Sequence, residues 1–387
     1  MKPIPRAIDL RQLSATKSAF LLGPRQTGKS TMVRQSFADC RCYNLLHTDV
    51  FLRLSQRPAR LREELLPTDS LVVIDEVQKL PILLDEVQAL IDERGVRFLL
   101  TGSSARRLRA RGVNLLGGRA RMHTLHPFSW RELGERFSLP RALESGLLPS
   151  IYFSDDPRSD LEAYVGQYLK EEIAAEAAVR SLPAFSRFLP VAGLSNGRLI
   201  NYTNIANDAQ VPRATVQEYF QILRDTLIGV DLPAWKQSIK RKPIATSKFY
   251  FFDVGVAHHL QQRRHLAPGT PEYGEAFEAF FHHELRTYCD YAGPHSLHYW
   301  RSTSGFEVDF ILDDHVAIEV KAKPIVGDQD LRGLRAIREE GTISKAIVAS
   351  LEPVPRRIDG IEILPWETVL ERLWSGDLTT GPRQGAR

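Results

Sequence analysis

The residues whose types and spacing best fit a known chemistry lie near the start of the chain. Residues 23–30 read Gly-Pro-Arg-Gln-Thr-Gly-Lys-Ser, which fits the pattern G-x-x-x-x-G-K-S/T. An apolar run over 19–22 precedes them, and a helix-like segment follows from Thr31. In that context, backbone amides surround phosphate groups and the positive end of the helix dipole faces them. The pattern predicts a phosphate-binding loop, and the alternative is an ordinary glycine turn.

A second motif, Leu-Val-Val-Ile-Asp-Glu over 71–76, would complete a nucleotide site. Its apolar run predicts a strand buried on both faces, and ligands of α/β sheets bind where such strands end. Lys29 would contact the β- and γ-phosphates of ATP, Ser30 and Asp75 would hold Mg²⁺, and Glu76 would orient the attacking water. The alternative for this motif is a charged strand end. We predict nucleotide contacts from Gly23, Pro24, Arg25, Gln26, Thr27, Gly28, Lys29, Ser30, Thr31 and Asp75.

Further along, the periodicity over 82–94 predicts a one-sided helix, and residues 96–104 predict another buried strand. That strand ends in small hydroxyl residues, which either sense the γ-phosphate or form an ordinary turn. A basic stretch follows, and we predict that Arg119 stabilises charge on the transferred phosphate, in cis or from a neighbouring subunit. The other arginines of this stretch are Arg106, Arg107, Arg109, Arg111 and Arg121.

The middle of the chain contains two short amphipathic segments within 204–219, separated by a turn at Val211 and Pro212. This spacing predicts a helix-turn-helix, preceded by a helix over 161–178. In a DNA reader, Arg213, Thr215 and Gln217 would face the major groove. A basic loop and an aromatic strand at 249–252 follow, as in a winged helix. The unit either contacts DNA, chiefly at phosphates, or is a rigid connector. The basic residues are Lys236, Lys240, Arg241 and Lys242.

Two segments of the last third, 306–312 and 316–321, alternate apolar and polar residues with period two. A three-residue loop at 313–315 pairs residue 312 with 316 and gives one apolar face. This register predicts the pairs Val308–Val320, Phe310–Ile318, Asp309–Glu319 and Glu307–Lys321. Like charges directly opposite each other destabilise a sheet, and a divalent cation would remove the Asp309–Glu319 conflict. For the Glu307–Lys321 pair, which forms the other half of the polar face, the alternative is an ordinary surface ion pair.

The N-terminal motifs resemble the prokaryotic AAA-family ATPases that carry a C-terminal domain of unknown function. The resemblance is carried by residues 23–30, 74–81 and 100–106, and by 117–119 followed by 125–133. It extends over nearly the whole chain. It implies a five-stranded parallel core with Lys29, Ser30, Asp75 and Glu76 in the roles given above. Asp253-Val254-Gly255 also matches a recurring motif of that family, and we interpret it as a structural turn.

The sequence Asp309…Glu319-Val320-Lys321 resembles the PD-(D/E)XK nuclease signature. That resemblance implies that Asp309 and Glu319 bind Mg²⁺ and that Lys321 orients or activates water. It also implies a further acid from the helix at 277–285, which is Glu278, with Glu284 in reserve. Val308 replaces the proline of the pattern, which lowers its specificity. We interpret His282 and His283 as ordinary helix surface.

Composition and length limit the classes of protein that fit. The 387 residues predict two or three domains, and 43% apolar with 25% charged residues is ordinary for a soluble protein. A net charge of +4 is compatible with nucleic acid. Cys40, Cys42 and Cys289 form no disulfide framework, and no apolar run of about 18 residues occurs. We therefore expect a cytoplasmic protein without a membrane segment.

The predicted fold is α/β: a P-loop NTPase parallel-sheet core, a winged helix-turn-helix and a restriction-endonuclease-like α/β domain. The predicted bounds are 1–135 for the ATPase core, 136–192 for a helical connector, 193–262 for the winged helix, 263–374 for the nuclease-like domain and 375–387 for a flexible tail. Two hypotheses follow. In one, ATP state controls DNA-binding and DNA-cleaving domains. In the other, the chain is a nucleotide-dependent switch that acts on a protein partner or a homo-oligomer, with an inactive nuclease-like domain.

Overall fold

A five-stranded parallel sheet forms the N-terminal unit of the computed structural model, which describes residues 4–104, 116–169, 181–263 and 265–380. Its strands lie in the order β2-β3-β4-β1-β5, and every neighbouring pair is parallel. This confirms the parallel core. The strands are β1 (Ser18–Leu22), β2 (Arg41–Asn44), β3 (Leu71–Asp75), β4 (Arg97–Gly102) and β5 (Ala120–Thr124).

Helices cover both faces of this sheet, because its central strands are buried and mostly apolar on both faces. In β1, Phe20 packs into one apolar cluster, while Ala19 and Leu21 pack into the cluster on the opposite face. The helix predicted at 82–94 begins at Leu83. The helices are α1 (Leu10–Leu13), α2 (Lys29–Ser36), α3 (Thr48–Gln56), α4 (Arg60–Glu64) and α5 (Leu83–Arg94).

Short helices connect this unit to the middle of the chain. The helix predicted at 161–178 is present as α9 and continues as a π-helix over Tyr164–Leu169, while its last part lies outside the described residues. Ser129 caps α6 by accepting the Glu132 amide. The connecting helices are α6 (Trp130–Leu133), α7 (Leu139–Ser145), α8 (Pro149–Tyr152), α9 (Pro157–Ala163) and α10 (Leu182–Gly193).

The segment predicted as a helix-turn-helix contains two helices, α11 (Tyr202–Ala209) and α12 (Arg213–Asp225). Gln210 takes a positive φ of 51° at the turn between them. Both helices pack on a three-stranded antiparallel sheet, in which the predicted aromatic strand is central. Its strands are β6 (Arg198–Leu199), β7 (Gly229–Leu232) and β8 (Lys248–Phe251).

The loop between β7 and β8 packs on the C-terminal unit, which changes the role expected for its basic residues. The Trp235 amide donates to the Tyr299 carbonyl at 2.7 Å, and Trp235 is buried. Arg241 donates to Glu339 at 2.6 Å, and the Lys240 amide donates to Glu340 at 2.6 Å. Arg241 therefore forms an ion pair between two units. The side chains of the other basic residues of the loop, Lys236, Lys240 and Lys242, remain exposed.

A six-stranded mixed sheet, ordered β13-β14-β12-β11-β10-β9, forms the C-terminal unit. The long helix α14 packs on one face, and α15 packs on the other. The strands are β9 (Leu297–Arg301), β10 (Glu307–Leu312), β11 (Val316–Lys321), β12 (Lys345–Ser350), β13 (Arg356–Ile358) and β14 (Ile361–Pro365). The helices are α13 (Val254–Leu260), α14 (Pro271–Ala292), α15 (Arg332–Arg338) and α16 (Trp366–Trp374).

The predicted hairpin register is correct close to the loop and wrong beyond it. Phe310 pairs with Ile318, and residue 312 pairs with 316, as expected. The pairing of β10 with β9 shifts between Val308 and Ile311, which marks a β-bulge. Val308 consequently packs with Ile311 on one face, while Phe310 and Ile318 pack on the other. The single apolar face predicted to include Val308 is therefore wrong.

The structure also bears on Asp253 and on the predicted tail. Asp253, interpreted as part of a structural turn, is the N-cap of α13, where it accepts the Val256 amide. The flexible tail predicted from residue 375 is wrong for residues 375–380, because Leu378 is buried and Thr379 is hydrogen-bonded to Tyr288. Residues 381–387 lie outside the described part. No helix in the described ranges is long and apolar enough to cross a membrane.

Candidate functional site

The phosphate-binding loop leaves β1 at the C-terminal edge of the parallel sheet and leads directly into α2. A Cβ on Gly23 would lie 2.4 Å from the Leu125 carbonyl oxygen, so this position requires glycine. Gly28 has a φ of +95°, which also favours glycine. The Lys29 ammonium is buried and donates to the carbonyls of Gly23 at 2.7 Å and Pro24 at 2.9 Å. The loop is therefore closed around its own lysine.

A cleft of about 280 Å³ opens over this loop. The cleft brings the loop, Ser30 and the second motif together, since Glu76 forms part of its wall. Asp75, at the end of β3, is buried and accepts a hydrogen bond from the Thr101 hydroxyl. The donor set is a serine hydroxyl and a carboxylate, which suits Mg²⁺. The lining residues are Arg25, Gln26, Gly28, Lys29, Ser30, Thr31, Leu46 and Glu76.

A glutamine that the sequence analysis did not single out holds the candidate catalytic carboxylate. Gln78 Nε2 donates to Glu76 Oε2 at 2.5 Å and to the Ser103 hydroxyl at 2.9 Å. Gln78 is buried, and a Cβ on Gly102 would lie 2.6 Å from its Oε1 atom. The signal available in the sequence is a polar residue between Val77 and Leu80 in a buried motif. Gln78 thus connects Glu76 to the end of β4.

A second, more apolar cleft of about 420 Å³ lies beside the loop and was also missed by the motifs. It reaches Gly28 and Thr31, and its walls come from the N-terminal segment and from the connector helices. Flat apolar walls next to a phosphate loop suit the base of a nucleotide. The apolar lining residues are Ile4, Met32, Phe128, Pro149 and Phe153.

Arg6 lines the second cleft and contacts the phosphate loop. Its guanidinium donates to the Thr27 carbonyl at 2.8 Å and to Glu132 at 3.0 Å, and it lies 5.0 Å from the centre of the Phe128 ring. The side chains of Arg6 and Glu132 are only 6% and 1% exposed. No motif includes Arg6, because its partners lie about 20 to 130 residues away in sequence. The phosphate loop is therefore fixed by the segment that precedes β1.

Arg119 lies at the wrong edge of the sheet for a role in its own site. It precedes β5, whose residue Ala120 is paired with Ser18 at the start of β1. The phosphate loop follows the other end of β1. Arg119 instead forms a 2.6 Å ion pair with Asp92 of α5. The predicted role in cis is therefore wrong, and a role from a neighbouring subunit stays a prediction. Arg106, Arg107, Arg109 and Arg111 lie outside the described residues.

The β10–β11 hairpin brings Asp309, Glu319 and Lys321 together. The Lys321 ammonium lies 2.5 Å from Glu319 Oε1 and 3.7 Å from Asp309 Oδ2. Asp309 also accepts the Val320 amide at 2.9 Å. Glu319 Oε2 is buried and has no hydrogen-bond partner among the described residues. Burial and the nearby Asp309 carboxylate raise the pKa of Glu319 to about 8.

A lysine from the middle sheet enters the same cluster. Lys248 of β8 is buried, and its ammonium lies 2.8 Å from Glu307 and 3.1 Å from Glu278. The Tyr250 hydroxyl donates to the same Glu278 oxygen at 2.6 Å. Burial lowers the pKa of Lys248, but Glu278 and other neighbours raise it more, so it stays well above its usual value. The predicted Glu307–Lys321 ion pair is wrong.

The predicted three-carboxylate metal set is therefore only partly assembled. Asp309 and Glu319 share Lys321, and the unpartnered oxygen of Glu319 fits the oxygen ligands that a divalent cation prefers. Glu278 is instead held by Lys248 and Tyr250. Among the described residues, no group of three or more His, Cys, Asp or Glu side chains is arranged to hold a metal ion. The cluster therefore offers a cation two carboxylates, Asp309 and Glu319, which is a partial ligand set.

Other titratable residues of α14 are structural. Glu284 is fully buried and accepts the Trp130 amide at 2.7 Å and the Trp374 indole N–H at 3.3 Å, so its reserve role as a metal acid is wrong. His283 is buried and is hydrogen-bonded to the Phe128 carbonyl at 2.9 Å. His282 is buried and stacks on Tyr250 at 3.9 Å. The interpretation of both histidines as helix surface is wrong.

The buried Glu284 carboxyl predicts a specific dependence of stability on pH. Burial raises its pKa to about 8, so the folded state favours the protonated form. The contribution of the Glu284 carboxyl to the free energy of unfolding is fully present below about pH 4.5 and is lost as the pH rises through 8. The free energy of unfolding of the wild type, relative to Glu284→Gln, should therefore fall by several kcal/mol between those pH values.

Urea unfolding at a series of pH values measures this difference. The matched control is Glu371→Gln, which removes an exposed carboxylate from α16. For the control, the difference from the wild type should stay nearly constant with pH. A wild-type advantage over Glu284→Gln that grows with pH would contradict the assignment.

Three family models match consecutive parts of the chain. Residues 15–134 match an AAA domain, residues 136–266 match a domain of unknown function (DUF8612), and residues 273–369 match another domain of unknown function (DUF4143). A comparison with curated proteins finds no match. Together with the loop and the sheet described above, the first match shows that the N-terminal third is similar to an AAA-type P-loop ATPase domain.

Several solved structures are distantly similar to the chain. A Walker-type ATPase of Pyrococcus abyssi is 17% identical, over 65% of this chain and 93% of that chain, with a TM-score of 0.43. The replication initiator DnaA bound to AMPPCP and single-stranded DNA is 13% identical, over 54% and 82%, with a TM-score of 0.28. A signal-transduction ATPase with a tetratricopeptide repeat sensor from Pyrococcus horikoshii is 12% identical, over 73% and 46%, with a TM-score of 0.23.

Proposed function

We propose that the chain is a Mg²⁺-dependent ATPase whose nucleotide state controls a DNA-binding winged helix and, through it, a restriction-endonuclease-like domain. One observation carries this proposal: the adjacent residues Ser103 and Ser104 are hydrogen-bonded, respectively, to Gln78, which contacts the candidate catalytic Glu76, and to the end of helix α12. The supporting features are the AAA domain, the exposed start of α12 and the mixed sheet with its carboxylate hairpin. A nucleotide cycle that moves α12 would change how the proposed winged helix binds DNA.

These contacts begin at the candidate catalytic carboxylate. Gln78 donates to Glu76 and to the Ser103 hydroxyl. The next residue, Ser104, donates to the Asp225 carbonyl at 3.4 Å. Asp225 is the last residue of α12. A displacement of α12 would therefore alter the segment that holds Gln78, and Gln78 in turn orients Glu76.

The phosphate loop also contacts a connector helix. The Ser150 hydroxyl of α8 donates to Gln26 Oε1 at 2.7 Å. Gln26 has a positive φ of 63°, so its backbone conformation is sensitive to the packing around it. We infer that the presence or absence of the γ-phosphate affects the packing of the connector helices as well as that of α12.

In the hydrolysis step, the residues of this chain would divide the work as follows. Lys29 would exchange its loop carbonyls for the β- and γ-phosphates of ATP, and Ser30 with Asp75 would hold Mg²⁺. When bound, Mg²⁺ neutralises charge on the phosphates. Thr101 fixes Asp75 through its hydroxyl. Glu76 would orient the water and accept its proton, at a carboxylate positioned by Gln78.

The start of α12 is the surface proposed to meet DNA. Arg213 and Gln217 are exposed, and Thr215 is half-buried on the same helix. Lys236, Lys240 and Lys242 add exposed positive charge on the neighbouring loop. Lysine side chains contribute phosphate contacts and little sequence discrimination. We infer binding that is driven mainly by charge.

One observation favours the alternative, a nucleotide-dependent switch that acts on a protein and carries an inactive nuclease-like domain. The ammonium groups of Lys321 and Lys248 already contact the four carboxylates of the cluster: Glu278, Glu307, Asp309 and Glu319. DNA cleavage would require these contacts between lysines and carboxylates to rearrange. ATP-dependent assembly without nucleic-acid retention would support this alternative.

Fluorescence anisotropy with labelled duplex DNA tests the DNA-binding proposal. We expect an affinity that falls steeply as salt is raised, and a roughly tenfold loss of affinity in Arg213→Ala. Arg60→Ala removes the same charge from an exposed position of α4 and should leave DNA affinity nearly unchanged. No measurable affinity at low salt would overturn the proposal in favour of the protein switch.

A further inference from the structure

We propose that Lys248 competes with a divalent cation for the C-terminal carboxylate cluster and keeps Glu278 out of its ligand set. The inference rests on the proposed restriction-endonuclease-like role of the C-terminal unit, in which these carboxylates would hold a divalent cation. It does not depend on ATP hydrolysis or on DNA affinity. Lys248, a residue of the middle sheet, would thus control the metal affinity of the C-terminal unit.

The contacts of Lys248 are those of a cation enclosed by acids. Its ammonium lies within 3.1 Å of one oxygen from Glu307 and one from Glu278, and it lies 5.5 Å from the centre of the Tyr299 ring. Its side chain is only 5% exposed. The Tyr250 hydroxyl donates to the same Glu278 oxygen that Lys248 contacts. Glu278 is therefore already compensated by one positive charge and two hydrogen bonds.

Lys248 belongs to the middle sheet, whereas the carboxylates that it neutralises belong to a helix and a strand of the C-terminal unit. It is paired with Leu199 of β6 and Leu232 of β7, so the middle sheet sets its position. Glu278 projects from α14 and Glu307 from β10, which both belong to the C-terminal unit. A shift of the middle sheet relative to the C-terminal sheet would withdraw the ammonium and leave these carboxylates uncompensated.

The rest of the cluster offers a cation only a partial set of ligands. Asp309 and Glu319 lie together at Lys321, and one Glu319 oxygen is buried without a hydrogen-bond partner among the described residues. Divalent cations such as Mg²⁺ and Mn²⁺ prefer more oxygen ligands than two carboxylates provide. Glu278 would be the next ligand, and it becomes available only when Lys248 leaves. The resting chain should bind a divalent cation weakly.

Titration with Mn²⁺, monitored by the electron paramagnetic resonance signal of the free ion, tests this competition. The full chain is used without nucleotide, so that the result is independent of the ATPase proposal. Lys248→Met should bind one Mn²⁺ at least about tenfold more tightly than the wild type, because a buried carboxylate that loses its cation is strongly uncompensated. Adding Glu319→Gln to Lys248→Met should remove this binding.

The matched control is Lys236→Met, which removes an exposed lysine from the β7–β8 loop and should leave Mn²⁺ affinity unchanged. An affinity in folded Lys248→Met that equals or falls below that of the wild type would overturn the proposal. If Lys248→Met does not fold, the Mn²⁺ affinity of Glu278→Gln in the otherwise unchanged chain tests the proposal instead. A change of less than about twofold supports the exclusion of Glu278, and a loss of about tenfold or more contradicts it.

Discussion

Replacement of Glu76 by glutamine is expected to lower the turnover number for ATP hydrolysis by about two orders of magnitude or more. Glutamine keeps the shape of the side chain but cannot accept a proton from the attacking water. The affinity for ATP should change little, because the loop and Lys29, which are predicted to contact the phosphates, are unchanged. The hydrogen bond from Gln78 to the side chain can persist with the amide oxygen as acceptor.

Steady-state hydrolysis and equilibrium binding of a fluorescent ATP analogue separate the two effects. Glu93→Gln, which neutralises an exposed carboxylate on α5, is the matched control and should behave as the wild type does. A Glu76→Gln variant that loses nucleotide binding and hydrolysis in parallel would show that Glu76 supports the cleft and does not act on the water.

Replacement of Arg6 by methionine is expected to lower the free energy of unfolding by about 3 kcal/mol, because it leaves the buried Glu132 carboxylate without its cation. It also removes the hydrogen bond to the Thr27 carbonyl. The phosphate loop would lose its contact with the N-terminal segment, so the affinity for ATP should fall as well. Methionine keeps much of the apolar stem that packs near Phe128.

Chemical denaturation and nucleotide binding measure these two consequences. Arg34→Met is the control, because Arg34 is exposed on α2 in the same unit. The control should change the free energy of unfolding by less than about 0.5 kcal/mol. Equal stability of Arg6→Met and the wild type would contradict the view that Arg6 fixes the loop.

The sequence predicts what depends on local spacing. The phosphate loop between β1 and α2, the carboxylates at the end of β3 and the helix pair around Gln210 all follow from periodicity and turn chemistry. The hairpin register near Leu312 follows from the alternation of apolar residues. These features are determined by residues close together in the chain, so a single sequence contains the information.

What the sequence does not predict depends on contacts between distant segments. Arg6 and Lys248 act on partners from other units, and no local pattern identifies those partners. The bulge in β10 moves Val308 to the opposite face, which a strict period of two cannot describe. His282 and His283 have a polar residue type but buried positions, because α14 is covered by segments from elsewhere in the chain.

The rate of ATP hydrolysis with and without duplex DNA tests most directly whether the candidate nucleotide site is coupled to the unit proposed to bind DNA. Lys29→Ala provides the blank, and Arg213→Ala removes a proposed DNA contact without touching the nucleotide cleft. The account predicts that DNA raises the rate of the wild type several-fold and that Arg213→Ala keeps the basal rate but loses most of the stimulation. A wild-type rate that is the same with and without saturating DNA would contradict the coupling.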